Sequence, residues 1–299
     1  MDNSIKYKSI IILSTQFLNH IINFFMINKI ICPTDFSVAA DNAVEYAAKL
    51  AQLTNAKLEI FHLQPERLLE SVFSGTNAIE NTKSISQALD VVCREVNRAF
   101  HIQCYAHVET PEHFFETTSA SEEIDNRLLV MGTNGIDDLY QEIFGTNTFN
   151  TLKQTNCPVL IIPESVSYAS ISKVVLAWDY SIASKNFYPQ LHDFLDLFNP
   201  EITFLHVSRH NTLISRDLYD AVKENMEELL QDSKAKIRFS RIYTDDIIQG
   251  VDEYVTESQT NLLVLIFHDQ QNKLLSRNKL IKKISQIAEY PILVLHEIP

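Results

Sequence analysis

Glycine is scarce in this chain, with five in 299 residues. That scarcity excludes collagen-like and glycine-rich low-complexity structure, and it makes each remaining glycine informative. Positive charge is also in deficit: 25 Lys and Arg stand against 38 Asp and Glu, a formal net charge of −13. A nucleic-acid backbone repels such a surface, and the small cluster Lys279, Lys282 and Lys283 does not offset it, so nucleic acid is not an expected partner. Cysteine is sparse and scattered. Cys32, Cys93, Cys104 and Cys157 form no C-x-x-C and have no histidine at zinc spacing, which reads as free buried thiols in a reducing cytoplasm rather than a metal site.

Long apolar runs are missing except near the start. Ser9 to Phe25 is apolar and follows Lys6 and Lys8, but Gln16, Asn19, His20 and Asn23 interrupt it and no small-residue cleavage site follows. Met26 then opens a strand-like sequence. The expected translation start is therefore Met26, with residues 1–25 as upstream sequence or an extension, and no membrane partner is expected.

What the chain does contain is organised around Leu128 to Pro163. This stretch reads as a buried strand (Leu128 to Met131), a loop (Gly132 to Gly145), a short helix and a second buried strand (Pro158 to Ile162). Three of the five glycines, Gly132, Gly135 and Gly145, fall in that loop. Glycine accepts positive φ and lets other groups approach the main chain, and a helix starting after such a loop turns unpaired N–H groups toward an anion. A phosphate-binding loop is the working reading. It contains no lysine, so it is not the G-x-x-x-x-G-K-[ST] cradle. Asp137 and Asp138 lie within it and would disfavour a triphosphate unless they point away as a solvated tip.

Upstream, strands and helices alternate. Lys29 to Thr34, Lys57 to Leu63 and His101 to Val108 read as strands, and Val38 to Leu53 as an amphipathic helix that Ser37 can cap. A second helix carries Ile85, Leu89, Val92 and Val96 on one face, and a third opens at Pro111. Five apolar strands separated by helices imply an α/β fold with a doubly wound parallel five-stranded sheet covered on both faces. Ligands bind such sheets past the carboxyl ends of the strands, where strand order reverses, and that rule brings Asp35 and the loop after Met131 to one edge.

The second half repeats the first. Lys29 to Ser37 matches Lys173 to Ser181, with Asp35 and Asp179 separated by 179 − 35 = 144 positions, and His62 and His206 keep the same offset. Near the ends, Pro158 matches Pro291 at 291 − 158 = 133, so the second copy is shorter, mostly between its second and third strands. The expected division is 1–25 as extension, 26–164 as domain 1 and 172–299 as domain 2.

The arrangement Gly132-x2-Gly135-x9-Gly145-Thr146, together with Pro33-x-Asp35-x-Ser37 after the first strand, resembles the ATP-binding members of the universal stress protein family. The resemblance covers nearly all of residues 26–299 as a tandem pair. It implies an adenine nucleotide alpha hydrolase-like fold in both halves, packed as an intramolecular pseudo-dimer through the fifth strands, Pro158 to Ile162 and Pro291 to Leu295, with a homodimer as a further possibility. It also implies ATP, with or without Mg²⁺, as ligand. Pro33 and Asp35 would lie against the adenosine, Leu63 would line the adenine pocket, and Gly132, Gly135, Gly145, Thr146, Asn147 and Thr148 would wrap ribose and phosphates. Domain 2 departs from the pattern, because no glycine follows Gly250 and the corresponding segment reads Ile266-Phe-His-Asp-Gln-Gln-Asn.

Several of these residues have plainer readings. Asp35 could cap the first helix, Gly132 could be a strand-end turn, and His62 and His206 read as structural rather than catalytic. The expected function is a cytoplasmic stress-response protein that binds adenine nucleotide in domain 1. The alternatives are a ligand-free interaction protein and a slow ATPase, the last unsupported by any Ser-His-Asp order, working carboxylate pair or metal cluster. A start at Met26 predicts that mass spectrometry of the native protein finds Met26 or Ile27 at the amino terminus; an intact Met1 in a membrane fraction would overturn it.

Overall fold

The computed structural model describes residues 27–64, 77–119, 127–134, 151–152, 154–178, 188–209, 220, 223–224, 226–228, 230, 233–267 and 275–296. In chain order the strands are β1 (Lys29–Pro33), β2 (Lys57–Leu63), β3 (Cys104–Glu109), β4 (Arg127–Thr133), β5 (Val159–Pro163), β6 (Lys173–Ala177), β7 (Glu201–Ser208), β8 (Lys236–Tyr243), β9 (Leu262–Phe267) and β10 (Ile292–His296). The helices are α1 (Val38–Thr54), α2 (Asn77–Phe100), α3 (Pro111–Ser119), α4 (Tyr188–Phe198), α5 (Ile247–Glu257) and α6 (Leu275–Ile287). No described helix is long and apolar enough to cross a membrane.

All ten strands form one sheet in the order β3-β2-β1-β4-β5-β10-β9-β6-β7-β8. The resemblance implies two five-stranded sheets that meet through their fifth strands; in the structure those two strands, β5 and β10, pair edge to edge, so that the two sheets are continuous as one. β5 and β10 pair antiparallel, with Ile161 opposite Ile292, Leu160 opposite Leu293 and Val159 opposite Val294, while every other pairing is parallel. The cause is the apolar character of both strands. VLIIP and ILVLH are buried at every position, and an unpaired edge of that composition would be left to template association.

Because successive residues on a strand face opposite ways, the sheet has a core on each side. Ile30, Leu58, Val130, Leu160, Leu293, Val264 and Leu176 belong to one core, and Ile31, Leu129, Ile161, Ile292, Leu263 and Val175 to the other. Each core runs unbroken across the β5–β10 junction. The first is covered by α1, α2 and α4, which contribute Ala47, Leu50, Leu89, Val96, Leu191 and Leu195. The second is covered by α3, α5 and α6, through Phe114, Val251, Val255, Ile281 and Ile284.

Strand registers locate where the two halves differ in length. Leu58 faces Cys104 and Ile202 faces Ile237, so the offset falls from 202 − 58 = 144 to 237 − 104 = 133 between the second and third strands of each half. Leu293 sits at the centre of the junction and is 1% exposed. Leu293→Ala should lower unfolding free energy by about 2–5 kcal/mol in denaturant titration, the range for deleting a core leucine; a change well below that would mean the junction is not part of the cooperative core.

Candidate functional site

Strand order reverses between β1 and β4. From β1 the sheet grows outward through β2 and β3, and the chain then returns to place β4 on the other side of β1. The carboxyl ends of β1 and β4 therefore meet at the topological switch point, the place where doubly wound sheets bind ligands. Pro33 closes β1 and is buried; Asp35, two residues on, is partly exposed at this edge, and Gly132 and Thr133 close β4 beside it.

The turn from β1 into α1 is tightly determined. The Ser37 hydroxyl accepts from the Ala40 N–H at 3.2 Å and caps α1. Asp35 is not the cap; its Oδ1 accepts from the Ser37 N–H at 2.9 Å, holding the capping residue in place. The Thr34 hydroxyl accepts from the Phe36 N–H at 3.0 Å. Between them Phe36 takes φ = 63°, a conformation that costs a bulky residue roughly 1–3 kcal/mol and persists only where its surroundings impose it. The Phe36 ring is partly exposed and stacks on His62 with centroids 5.2 Å apart. His62 in turn donates from Nδ1 to the Thr34 carbonyl at 2.9 Å, because a carbonyl can only accept. His206 makes the corresponding bond to the Trp178 carbonyl at 3.2 Å, so both histidines tie their strand to its neighbour.

Gly132 has a packing role that its placement in a loop would not suggest. It lies inside β4 rather than at the start of the loop, and β4 continues through Thr133. A Cβ on Gly132 would stand 2.2 Å from the Ala39 carbonyl oxygen and 3.1 Å from the Ala40 nitrogen. The first turn of α1 thus lies directly on the strand end, and the alanines Ala39, Ala40, Ala43 and Ala47, all buried, permit that approach.

The carboxyl edge is acidic. Burial raises the Asp41 carboxyl above the usual range, and the negative charge of Asp35 raises it further. A carboxylate at this edge, Asp35, suits hydroxyl or amine donors of a ligand better than a bare phosphate, which would need the N–H groups of the following loop. Among the described residues no group of three His, Cys, Asp or Glu could hold a metal ion.

Of the residues expected at the site, Pro33, Asp35 and Gly132 come together on adjacent strands. Leu63 closes β2, and its side chain is 2% exposed in the core with Phe61 and Phe114. Gly135, Gly145, Thr146, Asn147 and Thr148, with Asp137 and Asp138, lie outside the described residues, as does Asp179. Sequence reading missed Thr34 and Phe36, for which Pro33 and Ser37 on either side were the only local signal, and Asn42. The Asn42 amide donates to the carbonyls of Pro163 at 3.0 Å and Val166 at 2.9 Å, pinning the chain as it leaves β5 to α1.

In the second half, register equates Ile30 with Val174 and Leu128 with Leu262, which puts Ile266 where Gly132 stands. A buried isoleucine at that point prevents a helix from lying on the strand as α1 does.

Gly132→Ala should destabilise the protein by about 1–3 kcal/mol through overpacking against Ala39, read as a lowered denaturation midpoint. An unchanged midpoint would show that α1 can lift away freely.

The chain is similar to several known proteins. A universal stress protein of Methanocaldococcus jannaschii is 24% identical over 156 residues, 46% of this chain and 95% of that protein. The crystal structure of a universal stress protein from Archaeoglobus fulgidus DSM 4304 superposes with a TM-score of 0.67 at 13% identity, covering 92% of this chain and 100% of that one. A universal stress protein from Archaeoglobus fulgidus in complex with dAMP aligns with 42% of this chain and 98% of its own, at a TM-score of 0.32 and 9% identity. Over nearly its whole length the chain has the fold of a solved universal stress protein, and residues 26–163 match the sequence model of the Universal stress protein family.

Proposed function

We propose that the chain is a two-domain universal stress protein, divided as 26–164 and 172–299, whose first domain binds ATP or a related adenine nucleotide and whose role is regulatory. The observation that carries this reading is the meeting of the carboxyl ends of β1 and β4 at the switch point, which sets Asp35 beside the strand that feeds the glycine loop. One Asp35 oxygen holds Ser37, and the carboxylate keeps further acceptor positions for ribose hydroxyls or the adenine amine. Gly135 to Thr148 would supply main-chain N–H groups and hydroxyls to the phosphates. Any Mg²⁺ would arrive on those phosphates, in keeping with the small number of protein ligands this ion takes in nucleotide sites.

Domain 2 serves as a packing partner or regulatory surface. Ile266 in place of Gly132 supports that division of labour. Neither half presents a nucleophile–base pair at the described edge, so binding rather than turnover is the proposed activity.

Binding to the native state alone raises stability by about 2.7 kcal/mol at a hundredfold excess over Kd. ATP should therefore raise the melting temperature of the full chain. The shift should vanish in Gly145→Val and fall in Asp35→Asn, a change that keeps the acceptor for Ser37 but removes the charge. Asp179→Ala should leave it unchanged. No shift with ATP, ADP or AMP would favour a ligand-free interaction protein, and phosphate release that tracks these substitutions would favour an ATPase.

A further inference from the structure

The one place where two of the four cysteines meet lies away from the carboxyl edge. Cys93 sits on the buried stripe of α2 with Leu89 and Val96, and Cys104 is the first residue of β3, opposite Leu58 on β2. Their Sγ atoms are 3.0 Å apart, with the Cys104 thiol donating to Cys93. All four cysteines are free thiols in the structure. We propose that Cys93 and Cys104 form a reversible dithiol/disulfide modification site, in which Cys93 reacts with a peroxide and Cys104 resolves the product.

Three features of the geometry support this. First, a disulfide needs a sulfur separation of ~2.05 Å, so closure asks the two sulfurs to approach by roughly 1 Å. Second, β3 is an edge strand of the sheet and Cys104 is partly exposed, so a small oxidant reaches the pair from outside; Cys93 itself is 7% exposed. Third, the two thiols are unequal. The hydrogen bond from Cys104 lowers the Cys93 thiol against the opposing effects of burial and Asp90, while the same bond and burial raise Cys104. Two thiols within reach of one another, one held lower than its neighbour, can divide the roles of attacking and resolving cysteine. The other two cysteines have no sulfur–sulfur hydrogen bond and no lowered thiol. Cys32 is fully buried with its thiol raised by burial, and Cys157 is pushed up to about 11 by the same cause.

Hydrogen peroxide completes the balance. The Cys93 thiolate attacks one peroxide oxygen, the O–O bond breaks, and the departing oxygen takes a proton to leave as water, giving Cys93 sulfenic acid. Cys104 then loses its proton and attacks the Cys93 sulfur. The S–O bond breaks and the hydroxide leaves as a second water with that proton. Two thiols are oxidised, one peroxide is reduced, and a small dithiol reductant reverses the change. The disulfide would staple α2 to the start of β3. It lies at the end of β3 opposite Glu109, so it is independent of the nucleotide reading.

The test uses the full chain, reduced, freed of reductant and treated with a few equivalents of hydrogen peroxide. Two of the four thiols should disappear from a thiol titration of the denatured protein and return with dithiothreitol. Arg94 and Arg98 lie between the two cysteines, so trypsin leaves their peptides joined only through the disulfide, which mass spectrometry detects. Cys104→Ser should lose the linked peptide and accumulate a dimedone-reactive Cys93, whereas Cys32→Ser with Cys157→Ser should form the link as the wild type does. If a variant fails to fold, the wild-type peptide map decides alone. Absence of the linked peptide in the oxidised wild type, or loss of Cys32 and Cys157 at the same rate, would overturn the proposal.

Discussion

The structure depends on the contact between the Gly132 backbone and the Ala39 carbonyl. No other side chain fits between them, since even a methyl carbon would stand 2.2 Å from that oxygen. This contact fixes how far the first turn of α1 sits above β4, and so where Ser37, Phe36 and Asp35 fall relative to the carboxyl end of the sheet. The alanine stripe of α1 extends the same close approach along the helix. Ile266 shows the contrast, because a branched side chain at the equivalent register removes that seating from the second half.

A different kind of constraint joins the halves. β5 and β10 are apolar on both faces, and their antiparallel pairing lets both cores continue across the molecule. Burial on two faces, rather than the few backbone hydrogen bonds of a short pairing, dominates the stability of such a junction. The outer edges are of another character. β8 carries Lys236, Arg238 and Arg241, with Lys236 and Arg238 both paired to Glu201, and charge of this kind discourages further strand addition.

Much of this was legible in the sequence where a local rule acted without competition. The β2 boundaries, Lys57 and Leu63, follow from an apolar run between Ala56 and Gln64, and the Ser37 cap from a hydroxyl residue before an alanine-rich amphipathic segment. The parallel, doubly wound arrangement of each half followed from the alternation of elements. Gly132 was read as a loop residue because glycine alone does not distinguish positive φ from close approach, and only tertiary packing shows the latter here. Leu63 is buried with Phe61 and Phe114 at the end of β2, as an apolar residue at a strand end is whether it serves the core or lines a pocket. Phe36 was invisible as a strained position because nothing about phenylalanine advertises a left-handed backbone. The Cys93–Cys104 pair was hidden as well. Its members belong to a helix and a strand, and contact across that turn depends on helix phase, which composition does not encode.

The β5–β10 junction also sets an order of events at the ribosome. β5 is made near the middle of the chain, but the strand that covers its free edge is the last described element. While the entire second half is being synthesised, a fully apolar strand edge stays open on an otherwise folded first half. A nascent chain of this design is therefore open to association through that edge until β10 emerges to cover it.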